Sequence, residues 1–240
     1  MTPRPSARPE ISPMNGDPRS IAAERLLAAE AVLLDFNGTL SLDEDLLENC
    51  YAQALRELGL APLSPDEYAG MLGRSEEHIA AALLTHRGSS PTVEALLDEV
   101  AGAYVDSCRV RPRIPTEHLE LVRALHARGI QLAIVTGTLR RMIEPVLADA
   151  QLTREIPVLV TIEDVTRGKP DPEGFRRGLE LLGIDADQLD PGQVIVVEDS
   201  PSGIAAGHAL EAFVIGCSGT AVGADVQIEG LGELLGAVDG

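Results

Sequence analysis

The sequence predicts an α/β protein in which a parallel sheet carries helices on both faces and an inserted block of helices forms a cap. Short apolar segments without polar alternation, the pattern of strands covered on both faces, recur along the chain. Amphipathic helical patterns separate most of these segments, and strands that alternate with helices favour a parallel sheet. Residues 42–112 interrupt this alternation because their pattern is helical throughout.

The predicted strands begin with residues 31–34, and four more apolar segments follow at 130–136, 157–160, 194–197 and 212–215. In the core, helices are predicted over 116–128, 139–149 and 172–182. In the inserted block they are predicted over 44–58, 65–71, 75–86 and 91–108. Thr138 is expected to cap the helix over 139–149. Asp171 and Pro172 are expected to begin the helix over 172–182, and Gly183 to end it.

The same patterns divide the chain into three parts. Residues 1–20 hold five prolines and little apolar periodicity, which predicts a mobile N-terminal tail. Residues 21–41 and 113–240 form the predicted α/β core, and residues 42–112 form the predicted helical cap. Because the cap is inserted directly after the first strand, we expect a lid over the carboxyl end of that strand, with hinges near 41–43 and 110–115.

The composition argues against several classes of partner. The chain carries 38 acidic and 19 basic residues, a net charge of −19, so its surface repels nucleic acid and anionic membranes. Its apolar runs are far shorter than the roughly 18–20 residues of a membrane span, and its N-terminus lacks the apolar stretch of a signal peptide. Three scattered cysteines without metal-ligand spacing favour a reducing compartment. We expect a cytoplasmic monomer.

Four polar signals lie at the carboxyl ends of predicted strands or in the loops beyond them, where open parallel sheets bind ligands. They are Asp35 after the first strand, Thr136 after the second, the pair Glu198-Asp199 after "VIVV", and Lys169 in the loop "TRGKPDPEGF". Lys169 is the single lysine of the chain, beside 18 arginines. Each signal is weak alone, and their order along successive sheet edges makes them informative together.

Together these residues are suited to phosphoryl transfer. Asp35 supplies a carboxylate nucleophile that can form an aspartyl-phosphate. Asp35 and Asp199, with the backbone carbonyl of Asn37, offer the hard oxygen ligands that Mg²⁺ prefers. Thr136 can donate to a phosphoryl oxygen through its hydroxyl and the neighbouring amide, and Lys169 can offset negative charge on the transferring group.

The motifs "DFNGTL", "IVTGT", "RGKPDPEGF" and "VIVVEDSPSGI" resemble those of the haloacid dehalogenase (HAD) superfamily, most closely its β-phosphoglucomutase-like phosphatases with a C1-type helical cap. The resemblance implies a Rossmann-like core, dependence on Mg²⁺ and a small phosphorylated substrate selected by the cap. It implies that Asp35 is nucleophile and metal ligand, and that Asp199 is a metal ligand supported by Glu198. Thr136 and Lys169 would bind phosphate. Phe36, Gly137 and Arg74 are further candidate contacts to phosphate or substrate.

Asn37 departs from the family pattern, in which an aspartate protonates the leaving oxygen and later activates water. An amide can hydrogen-bond and can leave its backbone carbonyl on the metal, but it cannot shuttle a proton at ordinary pH. Three interpretations stay open: a substrate whose leaving group needs little protonation, an engineered Asp→Asn trap, or a substitute acid. The candidates for a substitute are Asp43, Glu44 and Asp45, which as helix-start residues are also compatible with solvated charges.

The main hypothesis is therefore a Mg²⁺-dependent phosphatase that acts on a small, sugar phosphate-like metabolite through an aspartyl-phosphate on Asp35. The alternative from another class is a catalytically weakened binding or regulatory protein on the same fold, disabled at Asn37. Retention of the nucleophile and the metal ligand favours the enzyme.

Overall fold

The computed structural model describes residues 16–64, 66–71, 74–87, 90–185, 192–218 and 221–238. Within these ranges, six parallel strands form one sheet in the order β3-β2-β1-β4-β5-β6. The strands are β1 Ala31–Leu34, β2 Gln131–Val135, β3 Val158–Val160, β4 Val194–Glu198, β5 Phe213–Cys217 and β6 Val226–Ile228. The predicted parallel α/β sheet is confirmed.

Helices cover both faces of this sheet. The described helices are α1 Pro18–Leu27, α2 Glu44–Glu57, α3 Glu76–Thr85, α4 Val93–Val110, α5 Thr116–Ala127, α6 Arg140–Asp149, α7 Glu173–Leu182, α8 Pro201–Ala209 and α9 Leu235–Val238, and those that contact the strands are α1, α5, α6, α7 and α8. Successive strand residues point to opposite faces. Val32 and Leu34 of β1 therefore join the hydrophobic cluster that contains α1, α5 and α6, whereas Leu33 joins the cluster that contains α7 and α8. No described helix combines the length and apolar character needed to cross a bilayer.

The register of the central strands brings their carboxyl ends to one level. Leu34 of β1 pairs with Ile134 of β2 on one side and with Val197 of β4 on the other. The order of the strands reverses between β1 and β4, and such a switch point opens a crevice beyond the strand ends. The residues that follow β1, β2 and β4 therefore face a common space.

Helices α2, α3 and α4 lie between β1 and α5 in the chain and pack mainly on one another, and α4 also packs on α6. The two chain crossings are held side by side, because the Leu42 backbone N–H donates to the Arg113 carbonyl at 2.9 Å. Arg113 also pairs with Asp45 at 2.7 Å. These crossings coincide with the segments predicted as hinges.

Several local features of the structure differ from the sequence predictions. Residues 1–15 of the predicted tail lie outside the described ranges, but helix α1 begins at Pro18, inside the segment assigned to the tail. Proline suits the first helical position, and Ala22, Ala23 and Leu26 bury the helix against the sheet. The helix predicted over 65–71 is reduced to a single 3-10 turn at Ala69–Met71 in the described part. Strand β6 had not been predicted.

Candidate active site

Lys169 ties the ends of three strands together. It lies in the loop between β3 and α7, and its Nζ donates to Asp35 Oδ1 at 2.5 Å and to Glu198 Oε1 at 2.5 Å. The same Nζ donates to the Val135 carbonyl at 2.9 Å, at the end of β2. The Lys169 side chain is 15% exposed and is therefore largely buried among these partners.

Asp35, Glu198 and Asp199 form an acidic cluster in which one carboxylate oxygen of each residue lies within 4.8 Å of the others. Glu198 is held in place by the start of α8, because its Oε2 accepts from the backbone N–H groups of Asp199 and Ser200, each at 3.1 Å. The Ser200 hydroxyl donates to the same oxygen at 2.9 Å. Gly203 leaves the space that the Glu198 carboxyl occupies. Glu198 thus orients Lys169 and the loop that carries Asp199.

The electrostatics of this cluster favour a bound cation. Burial raises the pKa of Asp35 well above its ordinary value, and the charges of Glu198 and Asp199 raise it further. The ammonium group of Lys169 lowers this pKa but does not outweigh these effects. Burial lowers the pKa of Lys169, but the carboxylates of Asp35 and Glu198 outweigh it and raise that pKa overall. Lys169 donates to two of the three acids, Asp35 and Glu198, and a divalent cation in the cluster would further favour the ionised form of Asp35.

The side-chain amide of Asn37 is fixed at both ends. Its Nδ2 donates to Asp43 Oδ2 at 3.0 Å, and its Oδ1 accepts from the Thr138 hydroxyl at 2.6 Å. Thr136 Oγ1 lies 3.5 Å from the same Oδ1. Thr138 had been predicted to cap α6. Instead Leu139 occupies the cap position, and the Thr138 hydroxyl points into the site and donates to Asn37.

Two buried carboxyl groups flank this amide. Asp43, expected as a solvated helix-start charge, is fully buried and accepts from Tyr104 OH at 2.5 Å. Burial raises the pKa of Asp43 to about 6.

Glu76 is the second buried carboxyl group. It is 3% exposed, accepts from Tyr51 OH, and lies with its Oε1 3.4 Å from the Thr138 hydroxyl. Burial raises the pKa of Glu76 to about 7. Asp45 is exposed and paired with Arg113.

The sequence prediction had missed Glu76, Thr138 and the two tyrosines as parts of the site. Thr138 belongs to the motif "TGT" and Glu76 to the segment "RSEE", and neither stretch singles out its residue as part of a site. An acid at the start of a helix, such as Glu76, is usually solvated. The tyrosines come from α2 and α4, so only the packing of the inserted helices brings them to the acids.

The remaining predicted contacts surround the same space. Thr136 follows β2, and its hydroxyl accepts from the Thr138 backbone N–H at 3.2 Å. Gly137 approaches α3 closely: a Cβ there would lie 3.6 Å from Ser75 Cα. The side chain of Phe36 is buried in the core, so only its backbone can face a ligand. Arg74 is exposed and lines the cavity, whereas Gly73 beside it lies outside the described residues.

A cavity of about 1440 Å³ connects these groups. Its lining includes Asp35, Thr136 and Lys169 from the sheet side and Arg74, Glu76 and His78 from the start of α3. This cavity is larger than common small-molecule pockets. The space between the sheet edge and the inserted helices can therefore hold a ligand larger than a phosphate ion.

Comparisons with known proteins agree with this arrangement. Residues 32–217 match the family model described as haloacid dehalogenase-like hydrolase. The chain is 31% identical over 193 residues to validoxylamine A 7′-phosphate phosphatase of Streptomyces hygroscopicus subsp. limoneus, which covers 80% of this chain and 86% of that protein. It is 32% identical over 221 residues to the plasmid phosphoglycolate phosphatase of Cupriavidus necator, covering 87% and 92% respectively.

The fold also resembles solved structures. CbbY from Rhodobacter sphaeroides in complex with phosphate superposes with a TM-score of 0.75 at 21% identity, over 88% of this chain and 99% of that one. The family match spans most of the chain, from β1 to the end of β5, and therefore includes every strand that delivers a residue to the acidic cluster. The chain belongs to the haloacid dehalogenase-like hydrolases.

Proposed function

We propose that this protein is a Mg²⁺-dependent phosphatase that hydrolyses a small, sugar phosphate-like monoester through an aspartyl-phosphate on Asp35. The family membership and the phosphatase relatives support a phosphoric monoester hydrolase. One further relative, hexitol phosphatase A of Escherichia coli, is 29% identical over 223 residues. The names of these relatives share a phosphate monoester on a small polar molecule, which supports the substrate class.

The observation that carries this proposal is the convergence of Asp35, Lys169 and Asp199 at one edge of the sheet. Asp35 attacks the phosphorus atom, and the bond from phosphorus to the leaving oxygen breaks. Water then attacks the phosphorus of the aspartyl-phosphate, which releases inorganic phosphate and regenerates the carboxylate. Lys169 and the Thr136 hydroxyl bind the phosphoryl oxygens and offset their charge in both steps.

The acidic cluster fits a magnesium ion because its donors are carboxylate oxygens within 4.8 Å of one another. Asp35, Asp199 and the backbone carbonyl of Asn37 would hold the ion, with Glu198 supporting Asp199. When bound, Mg²⁺ neutralises charge on the phosphoryl group and orients it toward the nucleophile.

The proposal includes the division into a core (21–41 and 113–240) and a cap (42–112) that covers the site. The lining of the cavity by Arg74, Glu76 and His78 supports a role of the cap in substrate choice. The surface charge and the three buried free cysteines support a monomer in a reducing compartment such as the cytoplasm.

The test is phosphate release from a panel of sugar, polyol and small-acid phosphates with Mg²⁺. We expect turnover by the wild type, loss of turnover on addition of a chelator, and turnover below detection for Asp35→Asn, which removes the nucleophile. Glu180→Gln is the matched control, because Glu180 is an exposed acid on α7 away from the site. No turnover by either the wild type or Asn37→Asp would favour the binding-protein alternative.

A further inference from the structure

The proposed hydrolysis needs a group that gives a proton to the leaving oxygen and takes one from water, and Asn37 cannot do either. The phosphoryl group lies against Asp35 at the sheet edge, and attacking and leaving oxygens stand roughly in line across phosphorus. The leaving oxygen therefore points away from Asp35, toward the inserted helices. A substitute acid belongs on that side of the cavity.

Glu76 occupies this side. It is the first residue of α3, it lines the cavity, and its backbone N–H lies 3.4 Å from the Gly137 carbonyl. Its Oε1 lies 3.4 Å from the Thr138 hydroxyl, which in turn donates to Asn37 Oδ1 at 2.6 Å. A single hydroxyl thus separates the Glu76 carboxyl from the amide that stands where the family has its acid.

The surroundings of Glu76 favour the protonated form of its carboxyl group. The titratable groups that act on it are Tyr51 of α2, Asp43 at the chain crossing and, more weakly, Cys50 of α2, and none of these is basic. Burial raises its pKa to about 7, the range in which a general acid and base works best near neutrality.

Asp43 is less suited to the role. It binds the nitrogen end of the Asn37 amide, which is the end opposite the oxygen that meets Thr136 and Thr138. Its Oδ2 already accepts from both Asn37 and Tyr104. Asp43 fixes the orientation of Asn37 and is a positioning residue.

We propose that Glu76 is the general acid and base of the hydrolysis, supplied by the inserted helices in place of an acid at position 37. This inference rests on the proposed phosphatase function. In the first step protonated Glu76 gives its proton to the leaving oxygen as the bond to phosphorus breaks, which yields the alcohol and the Glu76 carboxylate. In the second step the carboxylate takes a proton from the water that attacks the aspartyl-phosphate, so phosphate leaves and Glu76 is protonated again.

The test compares the wild type with Glu76→Gln on p-nitrophenyl phosphate, whose leaving group departs without a proton. We expect the steady-state rate of Glu76→Gln to fall by about 10²- to 10⁴-fold. Its first turnover should survive, giving a burst of about one nitrophenolate per chain, because only the water step then needs the base. Mass spectrometry should find one phosphoryl group on Asp35. On sorbitol 6-phosphate the leaving alkoxide needs a proton. Mass spectrometry should therefore find no phosphoryl group on Asp35 of Glu76→Gln with this substrate.

Glu77→Gln is the matched control, since Glu77 is the next residue of α3 and is exposed. Asn37→Asp in the Glu76→Gln background should restore steady-state turnover, because it returns an acid to position 37. An unchanged rate in Glu76→Gln would overturn the inference. So would an equal loss of burst and steady state without phosphoenzyme, which indicates a structural role. A wild type inactive on the whole panel would overturn the phosphatase proposal itself, and this inference with it.

Discussion

Asn37 fits its surroundings better than an aspartate would. An amide presents a donor to Asp43 at one end and an acceptor to Thr138 at the other. A carboxylate at position 37 would lie about 3 Å from the Asp43 carboxylate, and two acids at that distance must share a proton. The buried acids thus provide a physical reason for asparagine at this position, in addition to any preference of the substrate.

Gly203 is a residue on which the geometry of the site depends. A Cβ at this position would overlap the Glu198 carboxyl, which lies against the start of α8. We predict that Gly203→Ala displaces Glu198 from Lys169 and lowers kcat at least tenfold, with a lower melting temperature. Gly102→Ala is the control, because a Cβ on the exposed face of α4 meets no neighbour. Phosphate release and thermal unfolding measure both effects, and wild-type values for Gly203→Ala would contradict the prediction.

At the scale of elements, the sequence identifies most of the sheet because each central strand is a contiguous aliphatic run. Strand β6 escaped prediction because it is only three residues long and exposes its middle residue, Gln227. The acids flanking Asn37 escaped prediction for a different reason. Whether Asp43 or Glu76 is solvated depends on tyrosines 61 and 25 residues away in the chain, so their burial is a property of the packed helices. The ends of β1, β2 and β4 could be predicted as site positions, because sheet topology alone brings them together.

Helix α7 sets the position of the loop that carries Lys169. It packs closely on β2, since a Cβ on Gly174 would lie 2.9 Å from Val135 Cγ1. Lys169 donates to the carbonyl of the same Val135. We predict that Gly174→Ala pushes α7 away from β2 and lowers the free energy of unfolding by about 1–3 kcal/mol. The shift of α7 should also displace Lys169 from the site and thereby raise KM.

Truncation of the opposing side chain tests this packing. Val135→Ala removes the atom that the new Cβ meets, so the double variant Gly174→Ala/Val135→Ala should have a lower KM than Gly174→Ala alone. Steady-state kinetics and chemical unfolding of the two single variants and the double variant measure the coupling. Additive effects of the two changes would show that α7 and β2 do not compete for this space.

For the whole molecule, the buried carboxyl groups lower stability at neutral pH. Glu76 has a folded-state pKa of about 7, above its ordinary value of 4.5, so the folded state binds more protons than the unfolded state between these values. The free energy of unfolding from this group therefore falls as the pH rises through that window, and remains reduced above it. Asp43, raised from 3.8 to about 6, contributes in the same direction.

We predict that Glu76→Gln, which cannot ionise, raises the free energy of unfolding at pH 8 by an amount on the order of 3 kcal/mol at most. The gain should shrink as the pH falls from 8 to 5 and vanish only below the ordinary value of 4.5, where the wild-type carboxyl is protonated in both the folded and the unfolded state. Comparing the two proteins at each pH cancels His118, whose pKa burial lowers and whose contribution is lost as pH falls. Melting temperatures measured from pH 5 to 8 provide the readout, with Glu77→Gln as control. A pH-independent difference would contradict this account.

The solitary lysine has a practical consequence for labelling. Every other cationic side chain that stays charged is an arginine, so Lys169 is the single side-chain amine that acylating reagents can modify. Acylation requires the neutral amine, and the Asp35 and Glu198 carboxylates that raise the pKa of Lys169 keep it protonated, so the reaction should be slow in the folded protein and faster once these contacts open. The acylation rate of this one side chain therefore measures how often the sheet edge around it opens.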